Sequence, residues 1–327
     1  MIPTLAIDHL SVDFPQRSGA IAGAIAAVRE ATLTVQPAEC VGIVGESGSG
    51  KTQMFMAAMG LLAADARAAG SVRFEGQEIL GATPRELNRV RGSKLTMIFQ
   101  DPMTSLTPHL RIGVQLAEVL VGHRHMSWHD AERAALRALE RVRVPEPQRR
   151  LRQYPHELSG GMRQRVMIGM SLLCEPSLLI ADEPTTALDV TVQGQIIELL
   201  RAMREQSRTA IVLISHDLGV VAGLADRIVV MYAGRMVECG ATADILQRAE
   251  HPYTAELLKC VPDLLRPRLD RMPSLAGQAP SPSSVEQGCA FAPRCPRVSD
   301  KCRAERPLLR EARAAAHHVA CHYPVSA

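Results

Sequence analysis

Three short stretches of this sequence carry residue types and spacings suited to polyphosphate chemistry. Gly45-Glu46-Ser47-Gly48-Ser49-Gly50-Lys51-Thr52 fits the pattern G-x-x-x-x-G-K-[ST]. Glycines at these positions let the backbone wrap closely around phosphates, so that several N–H groups point at them. The helix expected next, Gln53–Leu62, adds the partial positive charge of its N-terminus. Lys51 supplies a full charge to the β and γ oxygens, and Thr52 offers a hydroxyl to Mg²⁺. In the second stretch, Leu178-Leu179-Ile180-Ala181-Asp182-Glu183, an apolar strand ends in two acids. Asp182 is placed to hold Mg²⁺ through water, and Glu183 to polarise an attacking water. General-base help of that kind is worth about 10² to 10⁴ in rate. The third stretch, Ile211–Asp217, is another apolar strand with a polar end, where His216 can hydrogen-bond a γ-phosphate and position the water. Together the three predict binding and hydrolysis of magnesium-ATP.

Such groups must stand on rigid elements. Cys40–Val44, Leu95–Phe99, Leu178–Ala181, Ala210–Ile214 and Ile228–Tyr232 are short, apolar and often β-branched, which predicts buried strands. Helical stretches lie between them, so an α/β sheet with covered faces is expected. From about Thr83 to Glu157 the strands stop. There Ser127-Trp128-His129-Asp130 has the form of a capping box, and Ala135, Leu136, Leu139 and Val142 keep helical spacing. This predicts a helical subdomain inserted in the α/β core. The Arg-rich stretch 141–152 reads as a solvated loop and helix edge.

Composition narrows the partners. A net charge of +3 over 327 residues is too small to argue for nucleic acid as a partner, and 3% aromatics leave few platforms for stacked bases. No apolar run approaches the roughly 18 to 20 residues that cross a bilayer. The first ten residues lack the pattern of a signal peptide. The chain is therefore expected on the cytoplasmic side, reaching a membrane only through a partner. Of eight cysteines, Cys40, Cys174, Cys239 and Cys260 are scattered and read as reduced thiols.

Leu158-Ser159-Gly160-Gly161-Met162-Arg163-Gln164, before the apolar helix Val166–Leu173, resembles the signature motif of ABC-type ATPases. Gln100, after its strand, is similar to the family's Q-loop glutamine. Ala187-Leu188-Asp189 is similar to the D-loop, and His216 to the switch histidine. Six motifs in this order resemble the family over most of the chain. The resemblance implies a RecA-like core with an N-terminal antiparallel β subdomain and an inserted helical subdomain at about residues 83–170. It implies that Gly45–Thr52, Gln100, Asp182, Ser159, Gly160, Gly161, Gln164 and Asp189 bind nucleotide, with Thr52, Gln100 and Asp182 on Mg²⁺. It further implies that the signature contacts ATP held by a second ATPase subunit, identical or paralogous. The family's adenine-stacking position aligns with Ile25, where apolar contact would replace the aromatic ring.

After Gly240 the composition becomes proline-rich, which divides the chain at about 1–240 and 241–327, with Gln278–Ser284 as a linker. His251-Pro252-Tyr253-Thr254, followed by Leu257-Leu258 and Pro262, is similar to the C-terminal hallmark of oligopeptide and dipeptide importer ATPases. Read without the family, the same residues are a helix start after Pro252. The importer resemblance implies two membrane-spanning permeases and an extracytoplasmic binding protein as partners, on the cytoplasmic face of the membrane. Other members move nickel complexes or glutathione, and non-transport ABC ATPases work on nucleic acid or ribosomes. Cys289, Cys295, Cys302 and Cys321 have the spacing C-x5-C-x6-C-x18-C, which matches no common C-x2-C zinc pattern. Spacing alone leaves a metal site and free thiols both open. Some importer ATPases resemble this tail, residues 285–327, and carry a [4Fe–4S] cluster there. His317, His318 and His322 would be substitutes or outer groups. His123, His125 and His129 read as a hydrated stretch.

Overall fold

The computed structural model describes residues 2–15, 24–101, 105–186, 189–260, 275, 277, 278, 280, 287–312 and 316–325. The chain folds as two compact units. One comprises Met1–Thr4, Val35–Glu39 and Gly81–Ile214, the other Leu5–Thr34, Cys40–Leu80 and Ser215–Ala327. This division does not coincide with the composition change at residue 240.

The strands run in chain order as β1 (Leu5–Pro15), β2 (Ala24–Val35), β3 (Cys40–Val44), β4 (Arg67–Phe74), β5 (Gln77–Glu78), β6 (Leu95–Ile98), β7 (Leu178–Asp182), β8 (Ala210–Ser215), β9 (Arg227–Tyr232), β10 (Arg235–Ala241), β11 (Arg310–Glu311) and β12 (His318–Val319). The helices used below are α1 (Lys51–Ala58), α2 (Ile112–Arg124), α3 (Trp128–Arg141), α4 (Gly160–Leu172), α5 (Val190–Ser207), α6 (Leu218–Ala222) and α7 (Pro252–Lys259).

In the Gly81–Ile214 unit, β6, β7 and β8 form a parallel array in the order β8-β7-β6. The register is Ala181 opposite Leu213 and Ile98 opposite Ala181. Every residue of β7 and β8 is buried. Burial on both faces explains why these strands read as unbroken apolar runs. Helix α3 begins where Ser127 Oγ accepts the Asp130 N–H at 3.2 Å. The serine hydroxyl also donates to the Asp130 carboxylate, so the cap closes side chain to side chain. Its buried stripe is Ala131, Ala135 and Leu139 at helical spacing. Ala131 packs with Ala117 and Leu120 of α2 and with Cys174. The stretch 141–152 is mostly exposed, and Arg149 and Arg150 pair with Glu146.

The other unit holds an antiparallel sheet in the order β2-β1-β4-β5 and an array in the order β11-β12-β10-β9-β3. Strands β3 and β9 are parallel, with Val44 opposite Val230. Strands β1, β2, β4 and β10 lie outside the five that the apolar runs predict, because β1, β2 and β4 mix exposed with buried positions and β10 is interrupted by Arg235 and Glu238. The most apolar stretch of the N-terminal region, around Ala24–Val28, is the start of β2. Among the described residues, no helix is long and apolar enough to cross a membrane.

Candidate functional site

The phosphate loop leaves β3 and enters α1 through glycines that no other residue could replace. Gly50 caps α1 with φ 95°, and a Cβ there would lie 2.1 Å from the carbonyl oxygen of Ala27 in β2. Gly45 has φ 152°, and its Cβ would meet the Met231 carbonyl at 2.2 Å. Both positions combine a left-handed backbone with direct backbone contact, so any side chain would push the loop off its seat. Lys51 is 6% exposed and points back into the loop. Its Nζ donates to the carbonyl oxygens of Gly45 at 2.7 Å and Glu46 at 2.9 Å, and to Ser49 Oγ at 3.4 Å. A buried ammonium ringed by oxygen acceptors is a ready partner for phosphate oxygens. The glycine-built turn, the buried lysine and the helix start fit a nucleotide polyphosphate. Ile25 lies on β2, two residues before Ala27, and is half-buried. His216 follows β8 with its ring exposed. The chain around it is held by Ser215 Oγ, which accepts from Asp217 N–H at 3.0 Å, and by Asp217 Oδ1, which accepts from Gly219 N–H at 2.7 Å at the start of α6.

In the other unit, Gln100 and Glu183 come together. Gln100 Nε2 donates to Glu183 Oε2 at 3.1 Å, and Thr186 Oγ1 donates to the same oxygen at 2.8 Å. The Glu183 backbone has φ 46°, the left-handed region that costs a non-glycine residue about 1–2 kcal/mol. Its N–H donates to Ile214 O at 2.9 Å, which pins that conformation at the end of β7. Asp182, one residue earlier, is 3% exposed. The signature residues stand at the start of α4. Ser159 Oγ accepts from Met162 N–H at 3.3 Å, Gly160 has open space where a side chain would be, and Gln164 is buried. Asp189 caps α5 by accepting Val192 N–H at 2.9 Å. Residues 187 and 188 of the D-loop motif and residues 102–104 after Gln100 lie outside the described residues.

The C-terminal segment reaches the phosphate loop, which nothing in the linear pattern announces. Tyr253 OH accepts the Glu46 N–H at 2.9 Å. Arg294 grips the Glu46 carboxylate with both ends of its guanidinium, Nη1 to Oε2 at 2.7 Å and Nη2 to Oε1 at 3.0 Å. Arg294 Nη1 also donates to Tyr232 OH at 3.3 Å. Those hydrogen bonds to Glu46 raise the Arg294 pKa further, and burial raises that of Tyr253. Tyr232, Tyr253 and Phe291 are all buried, with ring centroids 4.6 to 5.4 Å apart, and seat the segment. His251–Thr254 is thus both a helix start and a buried seat. His251 Nδ1 caps α7 by accepting Tyr253 N–H at 3.1 Å, and burial pulls its pKa down to about 3, so the ring stays a neutral acceptor.

Cys289, Cys295, Cys302 and Cys321 line one small cavity with His251 and His322. Burial pushes the thiols of Cys289 and Cys295 up, and that of Cys321 to about 11, with the neighbouring cysteines adding to each shift. A mononuclear site with Zn–S bonds of about 2.3 Å would need its sulfurs roughly 3.8 Å apart. Among the described residues no three metal-ligating side chains are grouped so as to hold a metal ion. His317 is not among these groups. It lies 2.8 Å from Glu238 in a fully buried pair, which corrects its assignment as a substitute ligand. His322 Nε2 meets the Glu305 carbonyl at 2.9 Å.

A phosphate loop on one strand–helix junction, an acid pair on a parallel strand end and a signature helix start are the parts of an ATP-binding cassette. Residues 28–186 match the family described as ABC transporter, and residues 237–302 match the oligopeptide/dipeptide transporter C-terminal region. The oligopeptide transport ATP-binding protein OppD of Salmonella typhimurium is 50% identical over 325 residues, covering 98% of this chain and 94% of the relative. That of Haemophilus influenzae is 46% identical, with coverage of 93% and 92%. The dimeric ATP-binding cassette MJ0796, solved with ADP and Pi, aligns with a TM-score of 0.64 at 26% identity, over 73% of this chain and 98% of that one. The chain belongs to the family of ABC transporter ATP-binding proteins of the oligopeptide transport type.

Proposed function

We propose that this chain hydrolyses magnesium-ATP to drive import of dipeptides and oligopeptides, as the ATP-binding subunit of an ABC transporter. The observation that carries this reading is the buried Lys51 inside the glycine cradle, in a chain that also matches the oligopeptide/dipeptide C-terminal region. That second match favours peptide import over work on ribosomes or nucleic acid.

In this reading Gly45–Thr52 hold the phosphates and Ile25 lies against the base. Thr52, Asp182 and Gln100 would hold Mg²⁺, which when bound draws negative charge off the phosphates. Glu183 orients the attacking water and takes its proton, with Gln100 and Thr186 fixing one carboxylate oxygen. His216 holds the transferred phosphate in line. Ser159, Gly160, Gly161, Gln164 and Asp189 serve ATP bound to a second ATPase subunit. The dimeric state of MJ0796 supports that pairing. The partners are that subunit, two permeases on the cytoplasmic face of the membrane and, through them, an extracytoplasmic binding protein. Residues 1–240 form the cassette, with the helical insertion at about 83–170, and 241–327 the transporter-type extension.

Reconstitution with the permeases tests the reading. Peptide accumulation in ATP-loaded vesicles is expected to vanish in Lys51→Ala, because the charge facing the β and γ oxygens is lost. Undiminished uptake through that variant would overturn the assignment.

The finer part of the proposal concerns the tail, where we assign Cys289, Cys295, Cys302 and Cys321 to a structural [4Fe–4S] cluster. Four thiols around one cavity supply the ligands of such a cluster. Anaerobically purified protein is expected to be brown and to contain about four irons, lost in Cys295→Ser. One equivalent of zinc without iron rejects the cluster.

A further inference from the structure

The Glu46 carboxylate is an odd neighbour for a nucleotide, since it adds a negative charge to a loop built to hold phosphates. The structure compensates it from far along the chain. Arg294, 5% exposed, makes a two-pronged ion pair with Glu46, whose side chain is 28% exposed. The paired Glu46 also has its N–H turned onto Tyr253 OH. Arg294 ends a single helical turn, Ala292–Arg294, and is followed directly by Cys295. Phe291, at the head of that turn, packs on Tyr232 and Tyr253. The guanidinium therefore reaches Glu46 only while the cysteine-bearing segment is seated.

We propose that Arg294 is a positioning residue for the phosphate loop: it neutralises and immobilises Glu46, so that nucleotide affinity depends on the docked state of the C-terminal extension. The proposal rests on the reading of Gly45–Thr52 as the nucleotide site. Its physical content is electrostatic. Released from Arg294, the carboxylate swings free beside the polyphosphate and repels it, and the backbone of Glu46, whose carbonyl faces Lys51 at 2.9 Å, loses its anchor. A bidentate guanidinium does both tasks, whereas a lysine ammonium supplies charge without the fork.

The test is a titration of magnesium-ADP into the full-length chain, read by calorimetry, with steady-state kinetics of the assembled transporter alongside. Arg294→Ala is expected to weaken binding about tenfold, or roughly 1.4 kcal/mol. KM for ATP rises by a similar factor while kcat falls less than about threefold, since Glu183 is untouched. Arg294→Lys lies between native and Arg294→Ala. The decisive variant is Arg294→Ala combined with Glu46→Gln, which removes the stranded charge and restores affinity to within about threefold of native. Native-like binding by Arg294→Ala overturns the proposal. So does a double variant as weak as the single one, the pattern of a merely structural arginine. If Arg294→Ala does not fold, Arg294→Lys alone decides, and unaltered binding there overturns the idea. Lys51→Ala separates the two readings, because tight nucleotide binding by that variant removes the site itself.

Discussion

Glu183→Gln in the assembled transporter is expected to lower ATP turnover by about 10² to 10⁴, with KM for ATP changed less than about threefold. The substitution keeps shape and hydrogen bonding and removes only the charge that accepts a proton from water. Gln100 Nε2 and Thr186 Oγ1 both donate to one carboxylate oxygen, which holds the carboxylate in one orientation. The backbone there is already committed, at φ 46°, to a conformation that an ordinary residue resists. A site that holds such a residue has fixed the direction of its side chain before substrate arrives. Steady-state turnover with saturating peptide checks this, and a variant within about threefold of native would take Glu183 out of its role.

The second large effect concerns stability. Glu238, with no exposed surface, accepts the Glu250 N–H at 2.6 Å, the His251 N–H at 3.1 Å and a bond to His317 Nε2 at 2.8 Å. One carboxylate thus joins β10, the entry to α7 and the approach to β12. Glu238→Ala leaves two buried N–H groups and an imidazole without their acceptor, and is expected to cost about 3–5 kcal/mol. Denaturant unfolding of the full chain measures it. His317→Ala should cost less, and the double variant should fall short of the sum, because both substitutions break one network. A loss below about 1 kcal/mol for Glu238→Ala would show that the pair contributes little.

The sequence is most readable where backbone chemistry is local. Gly45 and Gly50 take positive φ between a strand and a helix, the setting that the motif calls for, and β3 spans Cys40–Val44 as its apolar run indicates. Strands buried on both faces announce themselves; β1 and β2, half-exposed, do not. Ser127 caps its helix as the capping-box pattern predicts, whereas the cap that Asp189 gives α5 went unread. Contacts between residues far apart in the sequence leave no local trace. Nothing in a lone arginine before Cys295 points to Glu46, and nothing in His317 points to Glu238, because both pairings are made by tertiary packing. Tyr253 sits within a recognisable phrase, yet its hydroxyl bond to the Glu46 N–H is visible only in the fold.

The last two short strands have a consequence for where this chain can be cut. Val319 and His318 pair with Glu238 and Cys239, and Ala320 N–H donates to Val237 O at 2.8 Å. These residues cover the outer rim of β10, although the matched C-terminal region ends at residue 302. A version trimmed at that point would bare a row of unsatisfied peptide groups along β10 and strip His317 from Glu238. Bared rims of this kind are templates for copy-to-copy stacking, so the trimmed protein would clump in solution even with its phosphate loop intact.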